Sequence, residues 1–178
     1  MKVSVIIPSL NPDNKLVAVV DALLEEGFKD IIIVNDGSDE EHMAPFNEVA
    51  AHSECTILTH EINKGKGRGL KTAFEFCLEN RKDIDGVVTV DGDNQHRAKD
   101  IKKCSETMVS TGNVVLGVRD FTGDDVPARS KFGNNMTSGV FKVLCRLNIS
   151  DTQTGLRAIP YNCLLYTSPS PRDYAASR

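Results

Sequence analysis

Short β-branched runs alternate with amphipathic stripes along most of the chain. "KVSVIIP" (2–8) reads as a strand closed by proline, and "DIIIVNDGSD" (30–39) as a second strand running into a turn. Between them Leu16, Val19, Val20, Leu23 and Leu24 recur at helical spacing, and Gly27 stops the helix. A weaker helical stretch leads to a third strand, "CTILTH" (55–60). Leu70, Ala73, Phe74, Cys77 and Leu78 repeat the stripe before a fourth strand, "GVVTVDGD" (86–93). Ile101, Cys104, Met108 and Val109 mark the next helix, and "NVVLGVRD" (113–120) a fifth strand. Beyond a polar loop, Phe132, Met136, Val140, Val143, Leu144 and Leu147 mark a long helix.

This order predicts the α/β class, with a mostly parallel central sheet covered by helices on both faces. Near-continuous Val and Ile, without strict alternation, agrees with strands buried on both sides. In such sheets ligands bind outside the carboxyl ends of the strands, so that edge is the expected functional surface. No internal repeat is visible. The last stretch, "CLLYTSPSPRDYAASR" (163–178), has no periodicity and looks like read-through of a cloning or sequencing adaptor. The expected organisation is one domain over residues 1–162, truncated at its C-terminus, followed by a non-native tail; a natural disordered tail is the alternative.

Composition narrows the classes. A chain of 178 residues with 40% apolar and 26% charged residues describes a single ordinary globular domain. A net charge of -4 argues against a general nucleic-acid binder, which needs a basic face. Cys55, Cys77, Cys104, Cys145 and Cys163 form no C-x-x-C pair, so they read as reduced thiols filling the core of a cytoplasmic protein. No run approaches the ~18 apolar residues of a membrane span. Work at the cytoplasmic face of a membrane stays open.

The candidate chemistry collects at the predicted carboxyl ends: "PSLNPD", "NDGSDE", "DGDNQH" and "GVRD". Asp91 and Asp93 come first. Two carboxylates about 4 Å apart repel by ~4 kcal/mol at an effective dielectric near 20. Leaving a strand at i and i+2, they are expected to point the same way. A hard divalent cation removes the repulsion, and oxygen-only ligands favour Mg²⁺ or Mn²⁺. The competing reading is a solvated turn capping the next helix. An EF-hand is excluded by His96 and Lys102, which stand where Gly and Glu would be needed. Asp36 is suited to a ribose hydroxyl or a base N–H, or else it is only an Asp-Gly turn. "NKGKGRGLKTA" (63–73) is basic and Gly-rich, but Leu70 breaks the P-loop pattern and the alternating glycines break G-x-G-x-x-G. It remains a loop before a helix start, either an anion site or a plain connector. Arg119 and Arg129 flank "DFTGDDVPA", where guanidinium groups suit a phosphate.

"KVSVIIPSLN", "IIIVNDGSDE", "NKGKGRGLKTAFEF", "VVTVDGDNQH" and "DTQTGLRA" together resemble, in order, the family 2 glycosyltransferases of GT-A fold. The likeness runs from residue 2 to about 162 and is nearest the polyprenyl-phosphate hexosyltransferases, of the dolichol-phosphate mannosyltransferase and bactoprenol glucosyltransferase type. The resemblance implies that Pro8, Asn11 and Asp36 hold the nucleotide, with Gly92 touching it by its backbone. It implies a D-x-D metal site of Asp91 and Asp93, completed by Gln95. Arg119 and Arg129 match positions that handle donor or acceptor phosphates. Arg157 matches the arginine of the family's S-G-F-R segment, which shapes the acceptor side. Leu10 and Pro12 depart from the subfamily's Pro-x-Tyr-Asn-Glu loop, which leaves the base undecided.

The implied reaction moves a hexose, with inversion, from a nucleoside diphosphate sugar of the UDP-glucose or GDP-mannose type to a polyprenyl phosphate at the membrane surface. Two alternatives stand beside it. One is a family 2 transferase acting on a sugar hydroxyl, which needs a carboxylate base later in the chain. The other is a nucleotide-binding fragment without turnover. A sugar-nucleotide pyrophosphorylase is disfavoured because "PSLNPDNK" lacks its glycine-rich loop.

Overall fold

The structure is a computed structural model that describes residues 1–118 and 155–164. Its sheet has six strands: β1 (Val3–Ser9), β2 (Ile31–Asp36), β3 (Cys55–His60), β4 (Gly86–Thr89), β5 (Val115–Leu116) and β6 (Arg157–Pro160). They lie in the order β3-β2-β1-β4-β6-β5. The pairs β3–β2, β2–β1 and β1–β4 are parallel, whereas β6 runs antiparallel to both β4 and β5. Five α-helices accompany them among the described residues: α1 (Lys15–Glu25), α2 (Ala44–Val49), α3 (Lys66–Asn80), α4 (Ala98–Thr111) and the short α5 (Tyr161–Leu164).

The period-2 geometry of the strands divides the core in two. Val5, Ile7, Ile31, Ile33 and Val88 face one side, where they meet the α1 stripe, Phe46 and Val49 of α2, and Ile101 and Met108 of α4. Ile6, Ile32, Val34 and Val87 face the other, where Ala73 and Cys77 of α3 cover them. Burial on both faces is why these strands could dispense with polar alternation. The helical stripes fall as expected on α1 and α3. On α4 one position differs: Val109 is exposed, and Ser105 is buried in the stripe instead, its hydroxyl donating to the Ile101 carbonyl at 2.9 Å.

The expectation for the fifth strand needs correcting. Among the described residues only Val115 and Leu116 form ladder pairs, with the Gly117 N–H donating to the Leu156 carbonyl at 2.9 Å; Val114 and Val118 are exposed, and β6 takes the place beside β4. β6 itself carried no clear strand pattern. The packed chain also continues through Leu164, two residues past the expected boundary at 162. Leu164 is buried against the α3 face of the sheet. The expected helix over 132–147, with Arg119, Arg129 and Cys145, lies outside the described residues.

The order of strands locates the ligand edge more narrowly than fold class did. From β1 the chain moves outward to β2 and β3, then returns to place β4 on the opposite flank of β1. The switch point is the crevice between the carboxyl ends of β1 and β4. Pro8 and Ser9 lie on one bank of it and Val90 to Asp93 on the other.

Candidate active site

Two adjoining hollows open at that crevice. One, of about 290 Å³, is lined by Ser9, Asn11, Lys15, Gly92 and Asp93. The other, of about 360 Å³, is lined by Lys66, Thr89, Asp91, Gly155 and Arg157. Pro8 borders both. Asp91 and Asp93 therefore both reach the crevice, but they line different hollows. The strand spacing from which a common direction was expected stops short of both residues. The β4 ladder ends at Thr89, and the chain turns before Asn94, which adopts a φ of +62°. Strand alternation does not extend to a turn.

Asp91 is held on two sides. The Lys66 ammonium, from the first turn of α3, pairs with one of its carboxylate oxygens. The Gly155 backbone presses on the carboxylate so closely that an added Cβ would fall 2.2 Å from Oδ2. The Gly155 segment is fixed in turn by the Thr89 hydroxyl, which donates to the Gly155 carbonyl at 2.9 Å. Asp93 is exposed and accepts the Gln95 backbone N–H at 3.2 Å, which places Gln95 on the same turn. Gly92 packs this turn onto β1: a Cβ there would meet the Ser9 hydroxyl at 3.0 Å.

Asp36 ends β2 almost fully buried, with both oxygens engaged. Oδ1 lies 2.6 Å from His60 Nδ1 and accepts the Lys64 N–H at 3.0 Å, while Oδ2 accepts the Gly65 N–H at 2.7 Å. His60 Nε2 continues the chain to the Thr72 hydroxyl at 2.9 Å. Burial pushes the Asp36 carboxyl upward, but the His60 contact and the two backbone donors outweigh it and hold the pKa below its ordinary value. Asp36 thus anchors the basic loop at its passage into α3. Asn11, at a φ of +48°, ties the β1 loop to the β2 loop: its Nδ2 donates to Asp39 and its Oδ1 accepts the Asp39 N–H. Arg157 opens β6 and borders the Asp91 hollow.

A further hollow, of about 630 Å³, lies at the other end of the sheet, among Lys2, Asp30, Glu54 and Arg81. Asp30 and Glu54 are already engaged there. Arg81 bonds Asp30 at 3.1 Å, and Lys29 pairs with Glu54 at 3.6 Å. It stands away from the switch point and contains no predicted site residue among those described. Burial pushes the Cys55 and Cys77 thiols up to about 11, so they stay protonated at neutral pH and act as apolar filler.

The sequence profile of glycosyl transferase family 2 matches residues 4–167. The chain belongs to this family. A Methanocaldococcus jannaschii protein, MJ1222, is 27% identical over 164 residues, which are 90% of this chain and 65% of its own. The UDP-N-acetylglucosamine–dolichyl-phosphate N-acetylglucosaminyltransferase of Methanococcus voltae is 28% identical over 186 residues, covering 94% of this chain and 72% of that enzyme. Among solved structures, the glucosyl-3-phosphoglycerate synthase of Mycobacterium tuberculosis, in complex with Mn²⁺, UDP and glucosyl-3-phosphoglycerate, superposes with a TM-score of 0.69 at 15% identity. That match covers 90% of this chain and 57% of the synthase, and it establishes the GT-A fold alone. The family 2 chain thus spans between 57% and 72% of the length of these proteins.

Among the described residues no cluster of three or more His, Cys, Asp or Glu is gathered around one point. The donor set still suits a hard cation that completes its shell with water and phosphate oxygens, because Mg²⁺ is commonly held by only one or two carboxylates. The crevice already attracts positive charge, since the Lys66 ammonium sits on Asp91. Lys66, Gly155, His60 and Thr72 were not singled out from sequence. The basic, glycine-alternating loop 63–73 held Lys66 and Thr72, and "DTQTGLRA" held Gly155, but neither stretch named a partner.

Proposed function

We propose that this family 2 domain transfers a hexose or N-acetylhexosamine, with inversion, from a nucleoside diphosphate sugar to a polyprenyl phosphate. One observation carries the reading: at the switch point between β1 and β4 an acid–cation pair, Asp91 and Lys66, stands beside a second exposed acid, Asp93. Such an arrangement offers both signs of charge to a diphosphate and its counter-ion. The name of the Methanococcus voltae relative supports a dolichyl-type phosphate as acceptor.

In this reading Asp91, Asp93 and Gln95 hold Mg²⁺ or Mn²⁺, which when bound neutralises charge on the departing diphosphate. Pro8, Asn11, Asp36 and Gly92 border the nucleotide. Asp36 has little free acceptor capacity left after its three hydrogen bonds, so any contact with the nucleotide falls to Oδ2. A phosphate acceptor is already anionic and needs no base to deprotonate it; Arg119, Arg129 and Arg157 position it.

The test is a transfer assay with labelled UDP-N-acetylglucosamine, UDP-glucose and GDP-mannose, undecaprenyl or dolichyl phosphate, and Mn²⁺ or EDTA. Lipid-linked sugar should form with one donor and disappear with EDTA, and Asp93→Asn should reduce it at least 100-fold. Full metal-dependent transfer by Asp93→Asn would overturn the site assignment. Donor binding without any transfer would instead identify a nucleotide-binding unit.

A further inference from the structure

We propose that Lys66 is a resident counter-cation of Asp91, released to the diphosphate when the donor binds, so that metal and nucleotide load together. The inference rests on the reading of the crevice given above and deepens it.

Asp91 is not a vacant ligand. One oxygen carries the Lys66 ammonium, and the Gly155 backbone closes another approach. A divalent ion arriving alone meets a carboxylate that is already compensated and a positive charge that repels it. A diphosphate arriving with the ion changes both conditions, because its oxygens offer Lys66 a new partner and Asp91 becomes available. The exchange is geometrically cheap. The Lys66 side chain is 56% exposed, so no packing holds its ammonium in place. Its backbone, by contrast, is well fixed. It begins α3 directly after Lys64 and Gly65, whose N–H groups are pinned to the buried Asp36. A mobile head on a fixed base describes a side chain that swings between two nearby anions without disturbing the fold. A long, flexible side chain ending in a cation suits that task.

The magnitude is modest. Exposed ion pairs contribute little, so deleting Lys66 should strengthen binding of the metal alone by about two- to five-fold. The opposite change is expected for nucleotide, because its diphosphate loses a charge-assisted contact.

The experiment uses the full chain and two binding measurements. Mn²⁺ alone is titrated by electron paramagnetic resonance into wild type, Lys66→Gln and Lys66→Arg, and UDP or GDP is then titrated calorimetrically at saturating Mn²⁺. Lys66→Gln should take Mn²⁺ about two- to five-fold more tightly than wild type and nucleotide about ten-fold less tightly. Lys66→Arg should stay near wild type in both. Equal or weaker Mn²⁺ binding by Lys66→Gln, or unchanged nucleotide binding, overturns the role of Lys66 alone. Absence of any Mn²⁺-dependent nucleotide binding by wild type overturns the crevice reading and this inference with it. Matching far-UV circular dichroism and melting curves show that the variants are folded.

Discussion

Gly155→Ala tests whether the Asp91 carboxylate depends on a particular neighbour. No left-handed backbone is required at this position, so alanine is conformationally acceptable and the penalty is steric. The new methyl would lie 2.2 Å from Asp91 Oδ2, 2.5 Å from Cγ and 2.7 Å from Oδ1, all far inside van der Waals contact. The backbone at 155 resists moving, because the Thr89 hydroxyl binds its carbonyl and Leu156 is buried beside it. The carboxylate must rotate and abandon Lys66. Overpacking of this kind costs about 1–3 kcal/mol, and losing a part-exposed ion pair adds at most ~1 kcal/mol. At roughly 2–4 °C per kcal/mol for a chain of this size, Tm should fall by about 2–16 °C. If Asp91 holds the metal as proposed, Mn²⁺-dependent nucleotide binding should weaken by more than ten-fold. A double-mutant cycle isolates the contact. In an Asp91→Ala background the space opens, so Gly155→Ala should cost almost nothing, giving a coupling of at least ~1 kcal/mol in urea denaturation. Additive costs would mean that Gly155 and Asp91 do not meet as described, and the reasoning would fail.

Two further outcomes concern the buried acid that ends β2. His60→Ala removes the partner of a buried carboxylate and should destabilise the chain by about 2–3 kcal/mol in urea; His60→Asn, which keeps a donor near the Nδ1 position, should recover part of that loss. Because the folded-state pKa of Asp36 lies below its unfolded value, its contribution to stability is complete above about pH 4. It is lost as pH falls through the folded-state value. Urea midpoints measured from pH 6 to pH 2 should show this loss in wild type and a shallower slope in Asp36→Asn.

Much of the fold was legible because it rests on local periodicity. The stripes of α1 and α3 and the buried runs of β1 to β4 need only neighbours in sequence to be read, and the side chains that form the two half-cores follow from alternation along each strand. β6 was not legible for a physical reason. Its four residues, Arg-Ala-Ile-Pro, carry one polar and one turn-forming type, and only docking between β4 and β5 makes a strand of them. The same insertion shortened β5 and displaced the parallel arrangement expected there. At the site the acids were visible by type and position, but their partners were not. Lys66 reaches Asp91 across 25 residues, and Gly155 arrives from beyond the whole fifth strand. Spacing rules also treated Asp91 and Asp93 as a continuing strand, although the ladder stops at Thr89.

Asp36 and Asp91 are joined by a short mechanical path. Asp36 fixes Lys64 and Gly65 by their N–H groups, the next residue is Lys66, and its side chain ends on Asp91. Two acids that the sequence suggested as separate contacts, one for nucleotide and one for metal, therefore share three residues of loop. The stiffness of that path is unequal. His60 and Thr72 buttress its Asp36 end inside the protein, whereas its Lys66 end is exposed. Any change at Asp36 consequently loosens the origin of Lys66 as well as whatever Asp36 itself touches, and losses of nucleotide binding on substitution there report two effects at once. A change at Lys66 leaves the buried anchor intact. The asymmetry makes Lys66 the cleaner probe of charge in the crevice and Asp36 the cleaner probe of how the loop is held.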